Sequence, residues 1–134
     1  MLTYQAPLRD MRFVMQELHG LDALASIPSA ADLSADLLDS VLEEAGRLSS
    51  EVLRPLNASG DLQGAVLENG AVRTPDGFKE AYRTFRESGW TSLAGDVEYG
   101  GQGLPEVVNK MVEEMISSAN MAFGLYPGLT HGAT

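Results

Sequence analysis

A chain of 134 residues has the size of one ordinary domain and can bury a sizeable core. Nineteen acidic against nine basic residues give a formal charge of -10, which repels nucleic-acid phosphate and anionic lipid and excludes nucleic-acid binding. Cysteine is absent, removing disulfides, thiolate metal sites and thiol catalysis and suiting a cytoplasmic location. No apolar run approaches the ~18 residues of a membrane span, and the amino terminus lacks the apolar centre and cleavage site of a secretory signal.

After a loose start over Met1 to Gln5, Leu8, Met11, Val14, Met15 and Leu18 recur at three- and four-residue steps. Pro7 suits the first turn of this short amphipathic helix and Gly20 its stop. A loop from Leu21 to Asp32 leads to the clearest helix, Ala35 to Leu53, with Ser34 as N-cap. Its apolar stripe is Leu37, Leu38, Val41, Leu42, Ala45, Leu48 and Val52, and Pro55 is expected to prevent its continuation. Asn57 to Arg73 loses the helical period and reads as a surface excursion, with a small hairpin around Val66 to Val72 turning at Asn69-Gly70. Thr74 is expected to cap a third helix with Pro75 in its first turn, carrying Phe78, Ala81, Tyr82 and Phe85 as a core stripe until Gly89.

The stretch Gly89 to Pro105 holds the only tryptophan and five glycines before its closing proline, the composition of a defined, tightly turned loop. Pro105 then opens a fourth helix with Val107, Val108, Met111, Val112, Met115, Ile116 and Ala119 at helical spacing. Met121 to Thr134 is nearly free of charge, which predicts burial and a chain cut from a longer protein. The fold class expected is all-α, a small helical bundle, with an amino-terminal extension over residues 1–33 and the domain proper over 34–134.

Motifs for self-sufficient chemistry are missing. Gly100-Gly101-Gln102-Gly103 lacks the Lys-Ser or Lys-Thr pair of a phosphate loop and the preceding strand of a dinucleotide fingerprint, so these glycines are read as shaping a turn. His19 and His131 stand in no metal-binding spacing. The doublets Glu43-Glu44 and Glu113-Glu114 have no histidine at helical spacing, so they read as solvated faces and no metal site is assigned. The G-x-S-x-G serine motif is absent.

Several separated stretches, taken together and in order, resemble the amino-terminal helical domain of a bacterial flavin-dependent acyl-CoA dehydrogenase. They are Thr74-Pro75-Asp76-Gly77-Phe78, Gly89-Trp90, Glu98-Tyr99-Gly100-Gly101-Gln102-Gly103-Leu104-Pro105 and Ala119-Asn120-Met121-Ala122-Phe123. Tyr4 to Val14 resembles the extension of a subgroup that includes methylmercaptopropionyl-CoA dehydrogenase-like enzymes. The resemblance implies a middle β domain and a carboxy-terminal bundle outside these residues, with FAD bound mainly there and by a neighbouring subunit. It also implies a catalytic glutamate, outside these residues, that removes the α proton of an acyl-CoA while a β hydride passes to the flavin. An electron-transfer flavoprotein or similar acceptor and a homo-oligomer are implied as well.

No catalytic residue is therefore assigned here, Glu98, Glu106, Glu113 and Glu114 included. By the same resemblance Phe123, Tyr126, Pro127, Leu129 and Thr130 are candidates for lining the acyl tail, ordinary core packing being the alternative. Such a fragment is expected to be inactive alone. The rival reading is a free-standing helical module that dimerises or docks a partner through its apolar faces.

Overall fold

A computed structural model describes residues 3–133; Met1 and Leu2 of the loose start, and Thr134, lie outside the described residues. The element order is α1 (Leu8–Arg12, continued by a π turn Phe13–Leu18), α2 (Leu21–Leu24), α3 (Ala35–Arg47, continued by a π turn Leu48–Leu53), α4 (Arg54–Gln63), β1 (Val66–Glu68), β2 (Ala71–Arg73), α5 (Phe78–Glu87) and α6 (Glu106–His131). The fold is all-α but for the β1–β2 ribbon, as expected. No helix among the described residues is long and apolar enough to cross a membrane.

Ser34 caps α3 as predicted, its Oγ accepting from Leu37 N–H at 3.1 Å. Leu38, Leu42, Ala45, Leu48 and Leu53 are buried from this run, whereas Leu37 is exposed. Pro55 does not end the helix. An interior proline clashes with the carbonyl one turn back and lacks a donor, but the wider π turn over Leu48–Leu53 places Pro55 in the first turn of α4, where neither defect matters. The expected surface excursion is therefore helical to Gln63, and Gly64 at φ 63 stops it.

The hairpin forms where expected, pairing Val66 with Arg73 and Glu68 with Ala71. Asn69 (φ 52) and Gly70 (φ 78) make its left-handed turn. The loop 21–32 also contains α2 and a 3-10 turn at Pro28–Ala30. Leu21 and Leu24 pack against the core and draw that stretch inward.

Thr74 does not cap α5. Gly77 at φ 84 interrupts the chain, the Phe78 N–H donates to the Pro75 carbonyl in a turn, and the helix begins at Phe78. Phe78, Ala81 and Phe85 are buried as the stripe predicts, and Gly89 at φ 84 terminates the element.

The largest departure lies in α6, which doubles back. In an uninterrupted helix residues 109 and 131 would stand about 33 Å apart, yet Asn109 Nδ2 lies 3.2 Å from His131 Nε2. The reversal is at Asn120 (φ -159, ψ 86), so residues 106–119 and 121–131 form two antiparallel limbs. Val108, Val112, Met115, Ile116 and Ala119 of the first limb and Phe123 of the second join Met11 and Met15 of α1 in one core, while Val107 is exposed.

The second limb is not buried as expected. Met121, Leu125 and Leu129 are 65%, 58% and 74% exposed. Met121 and Leu125 sit at the mouth of a groove shared with Val112, Ile116 and Ser117 of the first limb, and freedom from charge did not dictate burial.

Candidate functional site

The turn at Asn120 sets the geometry of the site. Its Oδ1 accepts the Phe123 N–H at 3.0 Å, capping the second limb, and its Nδ2 donates to the Leu53 carbonyl at 3.1 Å, tying the turn to the end of the π segment. The limbs approach closely at Gly124, where an added Cβ would lie 3.2 Å from Ile116 Cγ2. Phe123 and Tyr126 are thereby set against Phe78 and Tyr82, four residues apart on α5.

These four side chains, with Thr74 and Lys79, line a cleft of about 380 Å³. Phe123 is fully buried at its base; its ring meets Phe78 edge-on at 6.0 Å and Phe85 at 5.8 Å. Tyr126 meets Phe78 edge-on at 6.0 Å and stays 41% exposed. Edge-to-face pairs of this kind add stability beyond area burial and leave few ring positions available. The cleft is thus a mainly apolar, aromatic groove with the hydroxyl residues Thr74, Tyr82 and Tyr126 and the Lys79 ammonium among its lining groups, and it holds no carboxylate, histidine or thiol.

The five lining candidates are separated. Phe123 and Tyr126 share this cleft. Pro127 and Thr130 line a neighbouring groove of about 760 Å³, facing Ser92, Asp96 and Tyr99 of the glycine loop. Leu129 points outward and lines neither groove. Sequence reasoning missed Thr74 and Lys79, and it took Tyr82 for core alone, whereas Tyr82 is half-buried and lines both grooves. Two aromatics at i, i+4 facing two at i, i+3 was the signal available, but using it required knowing that the chain reverses at Asn120.

No protein-family model matches the chain. Curated relatives do. The chain is 43% identical over 132 residues, 98% of its length, to 3-methylmercaptopropionyl-CoA dehydrogenase of Ruegeria pomeroyi, of which it covers 22%. It is 28% identical over 127 residues to a broad-specificity linear acyl-CoA dehydrogenase of Mycobacterium tuberculosis, and 31% over 134 to a butyryl-CoA dehydrogenase of Syntrophomonas wolfei, covering 21% and 22% of those proteins. Each of these relatives is an acyl-CoA dehydrogenase, and the chain is similar to a part of each. It spans about a fifth of the length of these relatives.

The glycine loop offers no cradle for a dinucleotide's pyrophosphate. The loop's amides are turned on itself: Gly101 N–H donates to the Asp96 carbonyl, Gln102 N–H to Ser92 and Gly103 N–H to Gly95, at 2.8 to 2.9 Å. Gln102 Nε2 adds a 2.7 Å bond to the Gly89 carbonyl. Gly95 and Gly101 lie so close that a Cβ on Gly101 would be 2.0 Å from the Gly95 carbonyl carbon. The glycines shape a turn, as their sequence suggested. Among the cations, Arg12 is paired with Asp39 and Glu43, Arg47 with Glu44 and Lys110 with Glu106 and Glu113. Neither the glycine loop nor these paired cations form a pyrophosphate cradle.

His131, which sequence spacing left apart from any acidic pair, is brought by the hairpin to Glu106 (3.5 Å) and Glu113 (3.8 Å). These three offer ligand atoms within 4.8 Å of one another. The Lys110 ammonium already lies 3.2 Å from Glu106 and 2.7 Å from Glu113, so a divalent ion would have to displace it. Burial pushes the Glu106 carboxyl up, but hydrogen bonds from Lys110, Asn109 and His131 outweigh it and hold the group below its ordinary range.

Proposed function

We propose that this chain is the amino-terminal helical part of an acyl-CoA dehydrogenase that carries out flavin-dependent α,β-dehydrogenation of an acyl-CoA thioester, and that its role is to receive the acyl tail. The supporting observation is the aromatic cleft, an apolar groove in a chain whose relatives are named for acyl-CoA substrates. Phe123 closes its base, Phe78 and Tyr82 form one wall, and Tyr126 stands on the other. In this reading the rings orient the tail and exclude water, while the flavin, which accepts the substrate's hydride when bound, and the catalytic base belong to parts of the enzyme outside these residues.

Of the extension over residues 1–33, the described part lies on the domain, held by Met11 and Met15 in the core and by Arg12 on Asp39 and Glu43. The exposed stripe Met121, Leu125 and Leu129 packs against the remainder of the enzyme or a neighbouring subunit, consistent with a homo-oligomer. An electron-transfer flavoprotein or similar acceptor and a cytoplasmic setting complete the proposal.

The test is kcat/KM of the complete enzyme across straight-chain acyl-CoA thioesters and methylmercaptopropionyl-CoA, for wild type and Tyr126→Ala. Removing the ring is expected to shift preference toward longer or bulkier tails by roughly tenfold, the worth of a methylene or more in an apolar pocket. Unchanged preference at unchanged stability rejects the cleft as the tail site.

A further inference from the structure

Behind the aromatic cleft, a buried glycine of α4 lies against the Phe78 ring of α5. Gly60 is interior to α4 and does not take a left-handed conformation, so its backbone has no need of glycine, the least favourable helical residue after proline. Its neighbour supplies the reason. A Cβ on Gly60 would lie 2.7 Å from both Cε1 and Cζ of Phe78, the far edge of the ring. Carbon atoms prefer about 3.5–4.0 Å, so a methyl there would drive the ring off by roughly 1 Å. Phe78 is itself wedged against Phe123 and Tyr126, each at a 6.0 Å ring separation, and it is part of the cleft wall.

We propose that Gly60 is a specificity-positioning residue. By leaving room for the Phe78 ring to seat against the α4 backbone, it holds the cleft open and sets the length of acyl tail it takes. This rests on the reading of the cleft as the acyl site. Gly60 never touches the tail and acts only through Phe78.

The complete enzyme distinguishes the two readings, with kcat/KM measured from butyryl-CoA to dodecanoyl-CoA for Gly60→Ala, Phe78→Leu and the double variant. Gly60→Ala is expected to lower the long-to-short ratio about tenfold, and Phe78→Leu to raise it by a similar factor. The double variant should match Phe78→Leu, since the new methyl then meets no ring. If Phe78→Leu shifts the profile and Gly60→Ala does not, the role of Gly60 is overturned while the acyl site stands. If neither shifts it, the acyl site falls and takes this inference with it. Should Gly60→Ala not accumulate as folded protein, the double variant against Phe78→Leu decides: equal profiles support action through the ring, and a further shift to short chains overturns it.

Discussion

The Asn120 side-chain amide and the Leu53 carbonyl, 67 positions apart, are joined by a 3.1 Å hydrogen bond buried in the core. The same side chain caps the second limb of α6 through the Phe123 N–H. One residue therefore reverses the chain and fixes where the reversed limb lies.

Asn120→Ala removes both bonds and strands two partners away from water, so a loss of about 3 kcal/mol is expected. Asn120→Asp keeps the cap but sets a buried carboxylate oxygen against the Leu53 carbonyl, so at neutral pH it should lose at least as much as Asn120→Ala. Urea unfolding of the three proteins checks the order; equal midpoints would show that the turn does not depend on this side chain.

Adjacent glycines should respond differently to alanine. Gly101→Ala places a Cβ 2.0 Å from the Gly95 carbonyl and must move backbone, so a loss above about 3 kcal/mol is expected. Gly100 has φ 85 but open space around it, and Gly100→Ala should lose only about 1 kcal/mol, the conformational term alone. Thermal melts side by side separate crowding from backbone strain.

Ser49 is fully buried in the π turn, and its hydroxyl has no hydrogen-bond partner among the described residues. Ser49→Ala removes an unpaired polar group and improves helix propensity, so a gain of about 1 kcal/mol is expected in urea titration. A loss would mean that the hydroxyl is satisfied in solution.

Glu106 gives a signed pH effect. Its folded carboxyl titrates below its unfolded value, so its contribution is present above the ordinary carboxylate range and disappears as pH falls through the depressed value. The group is half exposed, which limits that contribution to about 0.5 kcal/mol. Glu106→Gln should be less stable than wild type near neutral pH, the gap closing on acidification and shrinking in high salt. A gap independent of pH would assign the effect to packing.

The elements whose cause is local were legible in the chain. Ser34 capping α3, the Asn69-Gly70 turn, the glycine stops and the aromatic stripe of α5 each depend on a few neighbouring residues. What failed had a distant cause. Pro55 looked like a break because a proline is forbidden inside a regular α-helix, and only packing of Leu48 and Leu53 into the core shows why the chain widens into a π turn and goes on. Thr74 looked like a cap until Gly77 took a left-handed conformation against Leu56.

By itself, then, the sequence determined a mainly helical segment, because periodicity and caps are written in adjacent residues, and its ordered motifs carried the resemblance to acyl-CoA dehydrogenases. Tertiary structure alone decided which candidates face one cleft. Asn120 turns the chain onto a carbonyl 67 residues away, and that bond gathers Phe123 and Tyr126 with Phe78 and Tyr82 while sending Leu129 to the outside.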